Sequence, residues 1–289
     1  MGCKNHKKPH LPRWMKVKLP KGEKYSNTKN IVNQHQLHTI CTSGTCPNIG
    51  ECWGNGTATF MILGDICTRS CKYCGVQSGK PNSPDQQEPQ RLAGSIRLMN
   101  IQHCVITSVD RDDLDDFGAG FWAETIHTVK SVNPDITMEV LIPDFNGKER
   151  FIEKIIAENP EVISHNLETV ERLTPEIRSK AQYQRSLDVL KQISNSGIIT
   201  KTGIMVGLGE SDDEVYHTMD DSLKAGCNVF TIGQYLQPSK KNIEVQRFVP
   251  PEQFNAYKET GLKKGFSFVE SAPLVRSSYH AEKHIHIDK

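Results

Sequence analysis

Six of the nine cysteines in this 289-residue chain fall into two triplets, Cys41, Cys46 and Cys52 in CTSGTCPNIGEC and Cys67, Cys71 and Cys74 in CTRSCKYC. Each set offers three thiolates to iron and sulfide. A four-iron cubane held by three cysteines keeps one iron whose fourth ligand must come from elsewhere. That position is where chemistry can occur. The first residues carry charges and prolines but no apolar core with a small-residue cleavage site, which disfavours secretion and a disulfide framework and favours metal binding or catalysis. Cys104 and Cys227 lie in apolar, strand-like runs and read as buried, inert thiols. Cys3 is given no role.

The second triplet, with intervals of three and two residues, resembles the signature of the radical S-adenosylmethionine superfamily. The first, in the context CPNIGECW and followed by GTATFMILGDICTR, is similar to that of the lipoyl synthase family. The RSSYH run at 276–280 resembles the same family's C-terminal Arg-Ser-Ser-Tyr. The likeness runs from KVKLP at 16–20 through RSSYHAE. It implies two 4Fe–4S clusters. One, on Cys67, Cys71 and Cys74, binds the amino and carboxylate groups of S-adenosylmethionine and supplies the electron that cleaves it to a 5'-deoxyadenosyl radical. The other, on Cys41, Cys46 and Cys52 with Ser278 as fourth ligand, is consumed as the sulfur source. Ser277 is expected to point elsewhere, and Arg276 to stabilise negative charge near the cluster. Two S-adenosylmethionines per product then place sulfur at C6 and C8 of an octanoyl-lysine, giving lipoyl.

These ligands need a scaffold. After Cys74, apolar β-rich runs alternate with amphipathic stretches, the pattern of βα units and a parallel sheet. Six strands are predicted, at 57–66, 103–109, 136–142, 161–167, 200–208 and 228–236. Between them, Ser211 and Glu214 form a capping box ahead of Val215, Met219 and Leu223, with Gly226 as the stop. Phe151, Ile152, Ile155 and Ile156 form a second stripe, and Leu187, Leu190 and Ile193 a third, ended by Gly197. The fold class is α/β, a partial six-unit barrel, which is also what the resemblance implies. Residues 1–56 and 267–289 are expected as extensions to a barrel at 57–266, carrying the auxiliary cluster and closing one end. The active site of such barrels lies at the C-terminal ends of the strands, where Cys67 follows the first.

Polar residues at those ends are candidate cofactor contacts. Thr107, Ser108 and Asp110 end the second strand, and His165, Asn166 and Glu168 the fourth. The resemblance favours Asn166 and Glu168, offers Arg178 and Lys201 for the carboxylate, and sets Gly203, Ile204 and Gly207 against adenine. GIMVGLGE at 203–210 lacks the full dinucleotide-loop pattern, and a plain strand-to-helix turn competes with the adenine reading. His165 has no partner at zinc-helix spacing. RDDLDD at 111–116 lacks calcium-loop spacing and reads as a solvated approach to a helix.

The bulk numbers bound the rest. The formal net charge is +1, yet through residue 30 nine Lys or Arg residues face the single acid Glu23. That basic arm suits an acidic protein partner, or is merely solvated. With few aromatics beside it, nucleic acid is not expected. No apolar run approaches the roughly 20 residues of a membrane span. The expected location is cytoplasmic. The implied partners are an octanoylated lipoyl carrier domain, of a 2-oxoacid dehydrogenase or the glycine-cleavage H protein, an electron donor and a cluster-repair protein. Alternatives are a biotin-synthase relative, whose auxiliary ligands lie inside the barrel rather than before it, and a non-enzymatic iron–sulfur or zinc scaffold.

Overall fold

Strands rich in β-branched and aromatic residues and buried on both faces form the centre of the computed structural model, which describes residues 11–17, 22–55 and 57–285. The strands are β1 (His38–Thr39), β2 (Thr59–Ile62), β3 (Ile66–Cys67), β4 (Gln77–Ser78), β5 (His103–Ser108), β6 (Thr137–Leu141), β7 (Val162–Ser164), β8 (Ile199–Val206), β9 (Val229–Gln234) and β10 (Phe268–Ser271). Eight of them make one sheet in the order β1-β2-β5-β6-β7-β8-β9-β10, and β3 pairs with β4 alone. Every neighbouring pair in the large sheet is parallel except β1 with β2.

Short helices α1 (Glu23–Gln34), α2 (Ile40–Ser43) and α3 (Ile49–Gly54) precede the parallel strands. Crossovers follow as α4 (Glu88–Leu98), α5 (Ala119–Val132), α6 (Glu149–Ala157), α7 (Thr174–Ile177) with α8 (Tyr183–Asn195), α9 (Asp212–Lys224) and α10 (Pro251–Lys264). Six βα units therefore run from β2 to α10. Among the described residues no pairing joins β10 back to β1, so the barrel is partial. No helix among them is long and apolar enough to cross a membrane.

All six expected strands are present in the large sheet, and its two outer strands, β1 and β10, were not foreseen, nor was the small β3–β4 pair. The chain beyond 266 is more than an extension, because Phe268–Ser271 adds a parallel strand beside β9. Its four residues, half of them polar, are too short for a periodic signal. The first strand ends earlier than its apolar run, because Leu63 at φ 68° and Gly64 at φ 91° turn the chain out of the sheet.

The helical stripes do what their spacing requires. In α6, Phe151, Ile152 and Ile155 are buried. In α8, Leu190 and Ile193 face inward. In α9, Val215 and Met219 are fully buried. Each such side chain favours folding by about 1.5–3 kcal/mol on leaving water. The Ser211 hydroxyl accepts from Glu214 N at 3.2 Å, and the Glu214 carboxylate accepts from Ser211 N at 2.8 Å. Gly226 stops that helix at φ 85°, where an added Cβ would lie 2.0 Å from Ser194 Oγ. Cys104 and Cys227 are buried, and burial pushes both thiols up.

RDDLDD is not the solvated approach its charges predict. Arg111 is buried and donates to Leu63 O, Asn82 O and Asp113, while Asp112 is held by Arg69.

Because the capping box satisfies two otherwise unpaired amides, Ser211→Ala should lower the unfolding free energy by about 1 kcal/mol in a denaturant titration. A midpoint identical to wild type would mean the box contributes nothing to the start of α9.

Candidate active site

Local backbone geometry gathers the first triplet before any long-range contact is needed. Thr39 caps α2, its hydroxyl accepting from Thr42 N at 3.3 Å, and places Cys41 in the first turn. Thr45, at φ 54°, reverses the chain so that Cys46 N donates to Cys41 O at 3.0 Å. Asn48 opens α3, and Cys52 N donates to Asn48 O at 2.9 Å.

The second triplet hangs on the turn after β2. Cys67 ends β3, and its sulfur accepts from the amides of Arg69 and Asp110, each at 3.4 Å. Lys72 N donates to Ile177 O at 2.8 Å, and Asn242 Nδ2 donates to Cys74 O at 2.8 Å. All six cysteines are free thiols. Burial pushes Cys67 up to about 11 and Cys52 and Cys74 up to about 12, and raises Cys41 and Cys46 as well. Such thiols must surrender protons to bind iron, so loading is pH-dependent. Among the described residues no three His, Cys, Asp or Glu side chains converge on one metal ion. Cluster thiolates, by contrast, each address a different iron.

Arg69, inside the second triplet, fixes this loop to the sheet. Its side chain is 5% exposed and reaches three carboxylates: Asp110 at 3.2 Å, Asp112 at 2.8 Å and Asp144 at 2.7 Å. Burial drives the Asp144 carboxyl up, but the hydrogen bond and charge of Arg69 overcome it and leave the group at about 2. At Asp110 burial wins, and the carboxyl sits at about 6.

One cavity of about 300 Å³ joins these parts. Its wall includes Cys41 and Cys46 of the first triplet, all three cysteines of the second, and Ser278. Thr107, Ser108, Asp110, His165, Asn166, Glu168, Arg178, Gly203 and Ile204 also line it. Cys52, Lys201 and Gly207 do not.

The candidates behave differently once placed. Thr107 Oγ1 donates to Leu141 O at 3.2 Å, and Ser108 Oγ accepts from Trp122 Nε1 at 3.1 Å. His165 is satisfied on both ring nitrogens, by Ile142 O at 2.9 Å and Ser186 Oγ at 3.0 Å, and burial holds it down at about 4. It is therefore a neutral structural histidine. Glu168 is at φ 67°, and its backbone bridges to Gly203 and Met205 of β8. Burial pushes its carboxyl up. Asn166 Nδ2 donates to Glu168 Oε1 at 3.1 Å, while its Oδ1 is buried without a partner. Arg178 donates through Nη1 to Leu167 O and Ser186 Oγ, and its buried Nε is also unpaired. Unsatisfied buried groups of this kind in a cavity wall fit a polar ligand such as an amino acid moiety.

Two expectations need correction. Lys201 is fully buried away from the cavity, with Nζ 2.7 Å from Glu139 Oε1. Its charge is spent on Glu139 inside the protein rather than offered to the carboxylate of a cofactor. Gly207, at φ 96°, is a glycine because a Cβ there would lie 2.1 Å from Gln234 Nε2. Ser277 does point elsewhere than Ser278: its hydroxyl accepts from Asn166 Nδ2 at 2.6 Å. Gly203 does line the cavity, although the atom that forbids a side chain is Thr231 Oγ1, 2.1 Å from an added Cβ.

Thr59, Arg69 and Tyr73 were missed. Thr59 Oγ1 donates to Ser278 Oγ at 2.7 Å, and the Tyr73 hydroxyl is pushed well up by burial at the cavity wall. Tyr73 and Arg69 carry a signal, since both lie within CTRSCKYC. Thr59 has none. Arg276 is half-buried, and its charge draws the Cys46 thiol down, against the larger effect of burial.

A partial barrel of βα units with a three-cysteine loop after its first parallel strand defines a radical S-adenosylmethionine enzyme. The sequence model of the Radical SAM superfamily matches residues 61–222. Among solved structures, Streptococcus suis SuiB bound to S-adenosylmethionine superposes with TM-score 0.58 at 10% identity, over 78% of this chain and 54% of that one. Methylornithine synthase (PylB) gives 0.52 at 12% identity over 92% and 79%. These likenesses speak for the fold alone. The N-terminal domain of lipoyl synthase matches residues 1–46. Lipoyl synthase of Bacteroides fragilis (strain YCH46) is 59% identical over 97% of this chain and 98% of its own. That of Parabacteroides distasonis is 60% identical over 95% and 98%. The chain belongs to the lipoyl synthase family. As a radical S-adenosylmethionine enzyme it works with S-adenosylmethionine and a 4Fe–4S cluster.

The Arg69 network makes a pH prediction. Asp144 is held below its ordinary 3.8, so its contribution is full above about pH 4 and is lost as pH falls toward 2. Asp144→Asn should cost about 2 kcal/mol at neutral pH, and the deficit should shrink in acid. Urea titrations of both proteins across pH 2–7 would test this; a deficit constant with pH would contradict it.

Proposed function

We propose that this enzyme inserts two sulfur atoms, at C6 and C8, into an octanoyl chain held in amide linkage on a lysine of a lipoyl carrier domain, using two S-adenosylmethionines per product. One 4Fe–4S cluster would be held by Cys67, Cys71 and Cys74, and a second by Cys41, Cys46, Cys52 and Ser278. The observation that carries this reading is the one cavity walled by Cys41 and Cys46 of the first triplet, by all three cysteines of the second and by Ser278. When bound, the second-triplet cluster with S-adenosylmethionine supplies a hydrogen-abstracting 5'-deoxyadenosyl radical, and the first-triplet cluster supplies sulfide.

The chain's own residues position and enclose. Amides of Arg69 and Asp110 orient Cys67, and Arg69 keeps the loop against β5 and β6. Asn166, Glu168 and Arg178 supply polar contacts for the methionine end of the cofactor. Thr107 and Ser108 are weaker candidates, because their hydroxyls are already engaged. Val109, Leu141 and Ile142 give the cavity an apolar wall suited to an alkyl chain. Ser278 offers a hard oxygen, a poorer match to iron than thiolate and so the ligand most easily released. Thr59, already donating to that oxygen, is placed to stabilise it once released. A carrier domain, an electron donor and a cluster-repair protein are the partners required, in a cytoplasmic setting.

Anaerobic incubation with S-adenosylmethionine, reductant and an octanoylated lipoyl domain, read by intact mass, tests the reading. Cys71→Ala should abolish both 5'-deoxyadenosine and lipoyl product. Cys46→Ala should keep cofactor cleavage but yield no sulfur transfer. Ser278→Ala should load less iron or fail at the first sulfur. Transfer by the Cys46 variant would remove the first triplet as sulfur source, and a fully active Ser278→Ala with a complete cluster would remove the serine.

A further inference from the structure

We propose that Lys201 is a positioning residue, the buried clamp that sets Ser277 and Ser278 side by side on the cavity wall. Its Nζ lies 2.5 Å from Ser277 O, 2.7 and 2.8 Å from the two oxygens of Glu139, and 3.0 Å from His284 Nδ1. The Lys201, Glu139 and His284 side chains are all fully buried. Lys201 stands on β8, Glu139 on β6, and His284 in the short helix at Ala281–Ile285. Two of these elements and the Ser277 carbonyl therefore meet on the one ammonium that β8 supplies.

A buried ion pair is a poor way to gain stability, since an apolar pair of similar volume often does as well. What the ammonium provides and an apolar pair lacks is a directed hydrogen bond to the serine segment. Burial holds the His284 imidazole down, so it is neutral and accepts the ammonium's proton bond. The same ring packs edge-on against Phe268 at 4.9 Å, which ties the clamp to β10.

The carbonyl that Lys201 grips lies between two hydroxyls with different tasks. Ser277 Oγ accepts from Asn166 Nδ2 at 2.6 Å, on the side of the candidate cofactor contacts. Ser278 Oγ accepts from Thr59 Oγ1 at 2.7 Å, on the side of the first triplet. The approach to the pair is equally constrained, because a Cβ on Gly233 would lie 2.0 Å from Val275 O. Asn48 Nδ2 donates to Leu274 O at 2.7 Å. The clamp itself is independent of any ligand. Its consequence for the auxiliary cluster rests on the reading of Ser278 given above.

The test uses the reconstituted full-length enzyme carrying Lys201→Met with Glu139→Leu, which removes both charges together and leaves neither unpaired. Lys201→Met with Glu139→Gln is the second variant, should the first fail to fold. Amide exchange of Val275 and Tyr279 should accelerate about tenfold or more, as expected for loss of a charge-assisted hydrogen bond. The Mössbauer spectrum should change only in the first-triplet cluster. Deoxyadenosine formation should persist while lipoyl product falls. Accelerated exchange with both clusters unchanged would keep the clamp and remove Ser278 as ligand. Unchanged exchange, equal disturbance of both clusters, or loss of cofactor binding with exchange unchanged would each overturn the proposal. Two variants that both fail to fold would show that the ion pair carries the sheet rather than the serine segment, and would overturn it too.

Discussion

The Arg69 guanidinium, surrounded by Asp110, Asp112 and Asp144, is the interaction on which the rest of the site depends. A loop holding three thiols has few apolar contacts of its own and would otherwise sample many conformations, each diluting the geometry a cluster needs. One planar fork with several donors can bind several carboxylates at once in fixed directions, which a lysine could not do. Through it the loop inherits the rigidity of β5 and β6. Lys180, paired with Asp112, and Arg185, paired with Asp144, extend the same cluster of acids.

The cavity then follows from what crosses it. The first triplet lies before the parallel strands in sequence, the second after the first of them, and Ser278 close to the far end of the described chain. They meet because the segment at 274–279 runs between the two groups. It contacts Asn48, Glu51 and Thr59 on one side and Asn166, Lys201 and Gly233 on the other. A sheet left open between β1 and β10 gives that segment room to pass.

What the sequence revealed and what it hid divide by the range of the interactions. Cysteine intervals, the capping box at Ser211 and the stripes of α6 and α8 are local, and spacing alone exposes them. The six strands are visible because they are apolar over most of their length, whereas Phe268–Ser271 is too short and polar. The roles of Lys201 and Ser277 depend on partners 62 and 111 residues away, and no periodicity encodes such distances. A lysine in the middle of a buried strand reads as a functional charge, and only its pairing with Glu139 shows where that charge is spent. Likewise Arg111 and Asp112, judged by charge, belong outside, yet a buried network draws them in.

The hydrogen bond from Thr59 to Ser278 spans 219 residues. During synthesis the chain emerges in order, so both cysteine triplets are exposed to the cell while the serine segment is still unmade. On the proposed reading, a cluster held by the first triplet at that stage would lack the Ser278 oxygen. On that reading the complete ligand set would exist only after residues 274–279 have been made and have reached Thr59. The order in which the wall of the cavity can be completed is thus set by the topology of the chain.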